Sequence, residues 1–264
     1  MANATIIDGL FCIPQKPHVT QFSDCVPFDQ DLAPRMNASG IAGVVLAHCN
    51  CWECQHHWNC ADRRTHELAR AVGQNPKQLR GLAAYDSLRI GESLRWIDEA
   101  VTEGRLSGAY AEAECCVSGL DAPRMYPLFG LCAKLRSPVV LGFNSRERWT
   151  QHLSQAEVVA ADFPELDILL APPAGAGTTS ILGLMRHFAN ISFLLCPQDI
   201  DAALCEHIEF HGRERALFRS SSQGWTADVE RALGLKLNPA AQRAYLFQNA
   251  ARVYGFNKVS SQAK

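Results

Sequence analysis

A cluster of cysteine and histidine side chains follows a short apolar segment in the first quarter of this 264-residue chain. Residues 41–47 are aliphatic and β-branched, which is typical of a strand buried on both faces. Directly after this segment come seven residues that could ligate a metal ion: His48, Cys49, Cys51, Cys54, His56, His57 and Cys60. Thiolates and imidazoles at such spacing suit zinc or another thiophilic divalent ion. The pattern predicts a metal site in loop 48–60, with Cys12 after the preceding strand as a further ligand.

Two other interpretations of these cysteines stay open. The eleven cysteines could be free, partly buried thiols that pack as small hydrophobic groups. Cys51 and Cys54 form a C-x-x-C pair, which can also exchange disulfides, although the small thioredoxin-like context is missing. A disulfide framework is disfavoured, because the number of cysteines is odd and a chain of this length can bury a core without covalent links.

Charged and polar residues also fall at the predicted ends of other strands. Glu112 and Glu114 are spaced by two, so on a strand their side chains would point to the same side and could divide acid and base roles. The alternative is that both glutamates are solvated at the rim. Arg219 ends the last predicted strand, where its guanidinium could clamp a carboxylate or pair with Glu112 or Asp8. Asp86 and Asn144 could hydrogen-bond a substrate.

Apolar strand-like runs alternate with helix-like segments through most of the chain, a pattern that predicts parallel strands joined by helices. The predicted strands are residues 5–7, 41–47, 79–85, 106–111, 138–143, 167–171, 191–196 and 216–219. The Pro-rich segment 14–34 is predicted as a loop, and residues 240–254 as a closing helix. Eight strands with seven crossovers predict one (β/α)8 TIM barrel over residues 1–264, with the candidate residues at its carboxyl-end mouth.

The composition excludes some classes of partner. The net charge is −2 and charged residues are 20% of the chain, so no global field indicates binding to nucleic acid or a membrane. No apolar stretch is long enough for a membrane span, and the first residues lack the regions of a secretory signal. We therefore expect a cytoplasmic protein that acts on a small molecule.

Several segments resemble the amidohydrolase-related barrels, a group that includes metal-dependent decarboxylases of aromatic acids and lactonases of pyrone dicarboxylates. These segments follow the family's order along nearly the whole chain: TIIDGLFCI, RGLAAYD, YPLFGLCAKLRSPVVLGF, DFPELDILLAPPAG, ERALFRSS and NAARVYGF. The resemblance implies an amidohydrolase-like barrel whose mouth holds a divalent ion that polarises a carbonyl group or activates a water molecule.

The positions that would hold that ion are changed in this chain. Family members carry a His-x-His pair after the first strand, where this chain has Leu10 and Cys12. They carry histidines after the fifth and sixth strands, where this chain has Gly142 and Pro172, and an aspartate after the eighth, where it has Ser221. Leucine, glycine and proline side chains offer no metal ligand. The usual mechanism therefore cannot run on these positions.

Two hypotheses about function follow from the sequence. In the first, a Cys/His metal site has replaced the ancestral one, and the protein catalyses hydrolysis or a lyase reaction on a small carboxylated metabolite. Arg219 would then anchor the carboxylate, with Glu112 or Glu114 as general base. In the second, the chain is a pseudoenzyme that binds and stabilises a partner subunit, as a homo-oligomer or with a related barrel, and the cysteine loop is a structural zinc site. Metal-independent lactone or ester hydrolysis is a third possibility.

Elemental analysis of the protein purified without a histidine tag tests the predicted cysteine-loop site. We expect close to one zinc per chain, because thiolates with imidazoles favour this ion, and loss of the metal when Cys49, Cys51 and Cys54 become serine. A protein without metal, in which thiol titration in denaturant finds all eleven cysteines free, would contradict the prediction.

Overall fold

Eight parallel strands form the centre of the molecule. The computed structural model describes residues 5–13, 32–48, 60–116, 119–221 and 224–256. The strands are β1 (Ile6–Ile13), β2 (Ile41–His48), β3 (Leu79–Ala84), β4 (Gly108–Glu112), β5 (Val139–Gly142), β6 (Ile168–Ala171), β7 (Ile191–Leu195) and β8 (Ala216–Phe218). They pair in chain order through parallel ladders, from β1 with β2 to β7 with β8. This order confirms the predicted (β/α)8 barrel.

Helices alternate with the strands and cover the outside of the barrel. They are α1 (Leu32–Ala38), α2 (Cys60–Gln74), α3 (Ile90–Thr102), α4 (Tyr126–Leu135), α5 (Trp149–Asp162), α6 (Thr178–His187), α7 (Ala202–Phe210), α8 (Trp225–Leu233), α9 (Pro239–Arg243) and α10 (Asn249–Tyr254). A π-helical segment, Ala244–Gln248, joins α9 to α10. Within the described ranges, no helix is both long and apolar enough to cross a membrane.

The apolar core has two layers because side chains alternate along each strand. One layer lies between the strands and the surrounding helices. The other fills the barrel interior with residues from every strand: Ile7, Leu10, Val45, Ala47, Leu82, Tyr110, Val140, Leu169, Ala171, Leu194 and Leu217. Residues of α10 pack against this inner layer. Arg80 fixes that helix in place, because its Nε and Nη2 donate to the carbonyl oxygens of Tyr254 and Gly255 at 3.1 and 3.0 Å.

The buried carboxylate of Asp8 joins the first strand to the end of the last one. Asp8 is 0% exposed and accepts hydrogen bonds from the backbone N–H and hydroxyl of Ser220, at 3.2 and 2.5 Å. The indole of Trp225, the first residue of α8, donates to it at 2.7 Å, and the N–H of Leu10 donates at 3.3 Å. Burial raises the pKa of Asp8, and these hydrogen bonds partly oppose that effect. The carboxylate thus connects β1, the segment after β8, and α8.

Two predictions of secondary structure were wrong in part. The first strand continues past Asp8 and Gly9 to Ile13, because distant residues satisfy the aspartate and because Gly9 allows close approach. A Cβ atom at Gly9 would lie 2.8 Å from the Leu194 side chain. The predicted loop 14–34 also overlaps α1, where Pro34 occupies the first turn, the part of a helix that tolerates proline. Residues 14–31 lie outside the described ranges.

Replacing Asp8 with alanine tests whether this carboxylate stabilises the barrel. The change would leave the Ser220 and Trp225 donors unsatisfied in a buried site, so we expect a loss of about 3 kcal/mol or more in the free energy of unfolding. Asp167→Ala, at an exposed aspartate, is the matched control and should change stability by less than about 0.5 kcal/mol. Urea denaturation of both variants measures the difference, and equal stability would contradict the assigned role.

Candidate functional site

The alternation of side chains brings a small set of polar groups into the mouth of the barrel. Tyr110 and Leu217 belong to the inner layer, so Glu112 and Arg219, each two residues further along, point to the same side of the sheet. The ladder continues to Arg219, whose N–H donates to the carbonyl oxygen of Leu195 at 3.1 Å. Glu112 is 2% exposed at the end of β4. A glutamate and an arginine therefore share the carboxyl-end side of the barrel. TIM-barrel enzymes place their active sites on this side.

The guanidinium of Arg219 is held by groups at the ends of two neighbouring strands. Its Nη2 donates to the carbonyl oxygen of Pro172, after β6, at 2.8 Å. Its Nε donates to the Sγ atom of Cys196, after β7, at 3.4 Å. Burial opposes its charge, but interaction with Cys196, Cys12 and Tyr110 outweighs this effect and raises the pKa of Arg219. The side chain therefore points across the mouth with a fixed orientation and a permanent charge.

No carboxylate of the described residues forms an ion pair with Arg219. The two hydrogen bonds use two of the five N–H groups that a guanidinium carries. The predicted pairing of Arg219 with an acidic side chain is therefore not observed for Asp8, whose oxygens accept from Ser220, Trp225 and Leu10 instead. Among the described residues, no further acceptor binds the remaining donors of this partly exposed side chain.

Cys196 contributes a thiol to the same part of the mouth. It is 3% exposed, and burial raises the pKa of its thiol, with partial opposition from the charge of Arg219. The thiol also lies 3.6 Å from the carbonyl oxygen of Ser220. A raised pKa leaves the neutral thiol as the dominant form near neutral pH. In this environment the Cys196 Sγ atom accepts from the guanidinium and helps to hold its orientation.

Tyr110 fills space that a side chain at position 142 would otherwise occupy. A Cβ atom at Gly142 would overlap the Tyr110 hydroxyl and lie 2.8 Å from its Cζ atom. Glu112 pairs with Gly142 across the β4–β5 ladder, so the phenol and the glutamate lie next to each other at the mouth. The sequence did not indicate Tyr110 as a residue of the site, because an aromatic residue inside a strand usually belongs to the core. The glycine at an expected ligand position was the available signal.

The two predicted glutamates do not share a strand. The strand ends at Glu112, and Glu114 lies in the following 3-10 turn, Ala113–Cys115. The prediction that both side chains point to one side of a strand was therefore wrong. Glu114 Oε1 accepts hydrogen bonds from the backbone N–H groups of Asn144 and Ser145 at 2.9 and 2.8 Å. These two hydrogen bonds connect the loop after β4 to the loop after β5.

Asp86 and Asn144 lie after β3 and β5, as the predicted substrate-binding role requires, but their observed contacts are local. The Oδ1 atom of Asp86 accepts from the N–H of Leu88 at 2.8 Å, which is a turn-forming bond. The backbone of Asn144 is held by Glu114, and its side chain is exposed. The substrate-binding role of both residues stays a prediction, because none of their described interactions tests it.

Two of the predicted metal ligands lie at the ends of neighbouring strands, on opposite faces of the sheet. Cys12 packs against the inner layer and pairs with Ala47, while the next pair joins Ile13 to His48. Alternation along β2 places His48 on the opposite face from Ala47. Among the residues that the structure describes, no group of three or more His, Cys, Asp or Glu side chains could hold a metal ion. Cys49, Cys51, Cys54, His56 and His57 lie outside those residues, and Cys60 begins α2, so the cysteine-loop site stays a prediction.

Four positions at which the resemblance implies metal ligands lie in or shortly after their barrel strands. Leu10 is 2% exposed in the inner apolar layer, and Gly142 ends β5. Pro172 directly follows β6, and its carbonyl accepts from Arg219. The N–H and hydroxyl of Ser221 donate to Asp228 at 2.6 and 2.8 Å. None of these four side chains is arranged to bind a divalent ion.

Alanine at Gly142 tests the packing of Tyr110 in the mouth. We expect Gly142→Ala to destabilise the protein by about 1–3 kcal/mol, because the new methyl group displaces the phenol. Tyr110→Phe removes the atom in closest overlap, so the two changes combined should cost less than the sum of their separate effects, by about 0.5 kcal/mol or more.

Gly130→Ala in α4 is the control for these variants, because its Cβ atom would meet no atom within 4 Å, and alanine favours a helix by about 1 kcal/mol. Denaturant unfolding measures all four variants. Strict additivity of the two mouth substitutions would show that Tyr110 does not occupy this space.

Comparisons with solved structures show the same fold in decarboxylases. The 2,6-dihydroxybenzoate decarboxylase from Rhizobium aligns with a TM-score of 0.73 at 15% identity, over 96% of this chain and 99% of that chain. A 5-carboxyvanillate decarboxylase from Novosphingobium aromaticivorans, solved with manganese and 4-hydroxy-3-methoxy-5-nitrobenzoic acid, gives 0.73 at 12% identity over 96% of each chain. The 5-carboxyvanillate decarboxylase from Sphingomonas paucimobilis gives 0.68 at 15% identity, over 86% and 83%.

The sequence itself identifies the family. No curated protein sequence matches the chain, and at the identities of the solved structures their likeness shows the fold alone. The model of the amidohydrolase family matches residues 27–256, which is most of the chain. The expected barrel, the order of its segments and this match agree, and the chain belongs to the amidohydrolase family.

Proposed function

We propose that this protein binds a small aromatic acid in the barrel mouth and acts on it as a carbon–carbon lyase that releases CO2. The observation that carries the proposal is Arg219, a partly buried cation without a carboxylate partner among the described residues. Removing a charge from water is costly unless an opposite charge accompanies it. An anionic ligand would supply that charge and use the remaining guanidinium donors.

The lining of the mouth favours a flat ligand. Ala47 and Ala171 carry small side chains near the ends of β2 and β6, while Leu10 and the Tyr110 ring, which fills the space beside Gly142, offer apolar surface. A site with apolar walls and a few fixed polar groups is typical for small organic ligands. Decarboxylases of 2,6-dihydroxybenzoate and 5-carboxyvanillate share the fold, which supports an aromatic acid as the substrate class.

The charges in the mouth assign separate roles to two residues. A cation on the leaving carboxylate would stabilise the ground state and oppose loss of neutral CO2. Arg219 therefore holds an anionic oxygen group that stays on the ring, such as a phenolate or a second carboxylate. Glu112 is the described carboxyl group that the strand geometry directs into the mouth, and proton transfer is the role that fits it.

The proposed reaction conserves protons and electrons. Glu112 donates its proton to the ring carbon that bears the carboxylate, and the bond between that carbon and the carboxylate then breaks. The electron pair of this bond returns to the ring, and CO2 leaves. Glu112 recovers its proton from water. The reaction replaces one carboxylate by one hydrogen and needs no oxidant or reductant.

Two predictions from the sequence remain beside this proposal. Hydrolysis of a carboxylated metabolite would use the same anchor and base, but a lyase suits the apolar lining better, since the departing group is neutral. The alternative of a non-catalytic homologue that stabilises a partner subunit, in a homo-oligomer or with a related barrel, also stays a prediction. Turnover by the isolated chain separates a lyase from that alternative.

Paired amide substitutions decide which glutamate transfers the proton. We expect Glu112→Gln to lower the rate of CO2 release from 2,6-dihydroxybenzoate by about 100-fold or more, because a positioned acid contributes that much. Glu114→Gln is the matched control and should leave the rate unchanged, since a Gln carbonyl oxygen can still accept from Asn144 and Ser145. Release of CO2 from carboxyl-labelled substrate is the measurement.

Wild-type protein should also release CO2 from hydroxylated benzoates faster than from benzoate, which has no second oxygen group for Arg219. Equal rates for Glu112→Gln and wild type would remove Glu112 from the mechanism. Absence of turnover by wild-type protein across hydroxylated and dicarboxylated benzoates would overturn the lyase proposal.

A further inference from the structure

The donor atoms at the family's metal positions do not fit a divalent ion in this chain. Leu10 and Gly142 carry no ligand atom, and both lie at the inner wall of the barrel. Pro172 offers only its carbonyl oxygen, which already accepts from Arg219. Ser221 is committed to Asp228. Of the five positions, Cys12 alone keeps a side chain that ligates metals, and one thiol cannot hold an ion of this kind.

The guanidinium of Arg219 lies among these same positions. It donates to Pro172 at 2.8 Å and interacts electrostatically with Cys12 and Tyr110. Tyr110 in turn occupies the space beside Gly142, and Ser221 is two residues further along the chain. The cation therefore contacts Pro172 directly and lies in the same part of the mouth as Cys12 and as Tyr110, which fills the space beside Gly142. Among the described side chains, Arg219 brings a permanent positive charge to this part of the barrel mouth.

We propose that the Arg219 guanidinium takes the place of the divalent ion, so that the mouth binds its anionic ligand without any metal. This inference rests on the proposed function for the class of ligand. The hydrogen bonds from Nε to Cys196 and from Nη2 to Pro172 hold the planar group in one orientation. Its remaining N–H donors can then form hydrogen bonds to an anionic oxygen group that stays on the ring, such as a phenolate or a second carboxylate.

An organic cation has different consequences from a metal ion. A guanidinium is charged at all accessible pH values and cannot exchange with the solvent. It forms hydrogen bonds to an anion but cannot lower the pKa of a bound water molecule as a divalent ion does. The replacement therefore favours a reaction that needs an anchored anion and a proton donor, and disfavours hydrolysis by metal-bound hydroxide.

Calorimetric titration of 2,6-dihydroxybenzoate into the full-length protein, with and without Mn²⁺, tests the replacement. Manganese is the appropriate probe because it prefers oxygen ligands and binds thiolate sites poorly, so it reports on the mouth and not on the cysteine loop. We expect the same Kd in both conditions. Arg219→Met should weaken binding about 10- to 100-fold, the range for losing a hydrogen-bonded charge. Arg219→Lys should weaken it less, because the charge remains while the planar fork is lost.

Arg215→Met is the matched control. Arg215 lies at the opposite end of the same strand, is also partly buried, and donates to the carbonyl oxygen of Phe188 at 2.8 Å. Its replacement should leave the Kd unchanged. Melting curves of each variant identify any loss of folding, and the manganese comparison on wild-type protein needs no variant.

The outcomes separate this inference from the function on which it rests. Binding that tightens tenfold or more with Mn²⁺, or that survives Arg219→Met, would overturn the replacement and leave the acid-binding mouth intact. Failure of the wild-type protein to bind this acid in both conditions would overturn the proposed function and the replacement together. Manganese-independent binding that is lost in Arg219→Met supports both.

Discussion

The buried carboxylate of Asp8 is the interaction on which the mouth of this barrel depends. Its hydrogen bonds to Ser220 and Trp225 connect the first strand to the segment that follows the last one. Ser220 directly follows Arg219, so the same bonds fix the backbone from which the guanidinium extends. A charge buried at this depth is stable only when several donors satisfy it. The requirement makes the junction of β1 and β8 rigid, and the position of Arg219 follows from it.

Above this junction, the chain has apolar or small residues, with a cation nearby, at positions where the resemblance implies metal ligands. Glycine at 142 gives the Tyr110 phenol its space, and the apolar Leu10 extends the inner layer toward the mouth. These features support one another, because Gly142 packs against Tyr110 and the carbonyl oxygen of Pro172 accepts from Arg219, so neither position holds a side chain that ligates a metal ion. The substitutions are thus coherent as a set. On the proposed function, they form a site for an anion in place of a metal site.

The sequence predicted the barrel because its strands are apolar runs of the right length, and the parallel order follows from the alternation of strands with helices. It placed Arg219 at the end of the last strand because the apolar run 216–218 ends there, and the N–H of Arg219 still donates to the neighbouring strand. The length of β1 could not be predicted, because an aspartate followed by glycine is typical of the end of a strand. The partners that satisfy Asp8 lie more than 200 residues away in the sequence. The pairing of Glu112 with Glu114 failed for a local reason. The chain turns directly after Glu112, and the sequence AEAEC carries no strong turn residue.

A crystal structure with a bromine-labelled hydroxybenzoate tests the central claim most directly, because the anomalous signal of bromine locates the ring without ambiguity. The account predicts the ligand in the mouth, with an anionic oxygen group bound by the N–H groups of Arg219, the carboxylate that leaves beside Glu112, and no metal ion between ligand and protein. A ligand coordinated to a metal ion in the mouth, or bound elsewhere with Arg219 uninvolved, would contradict it.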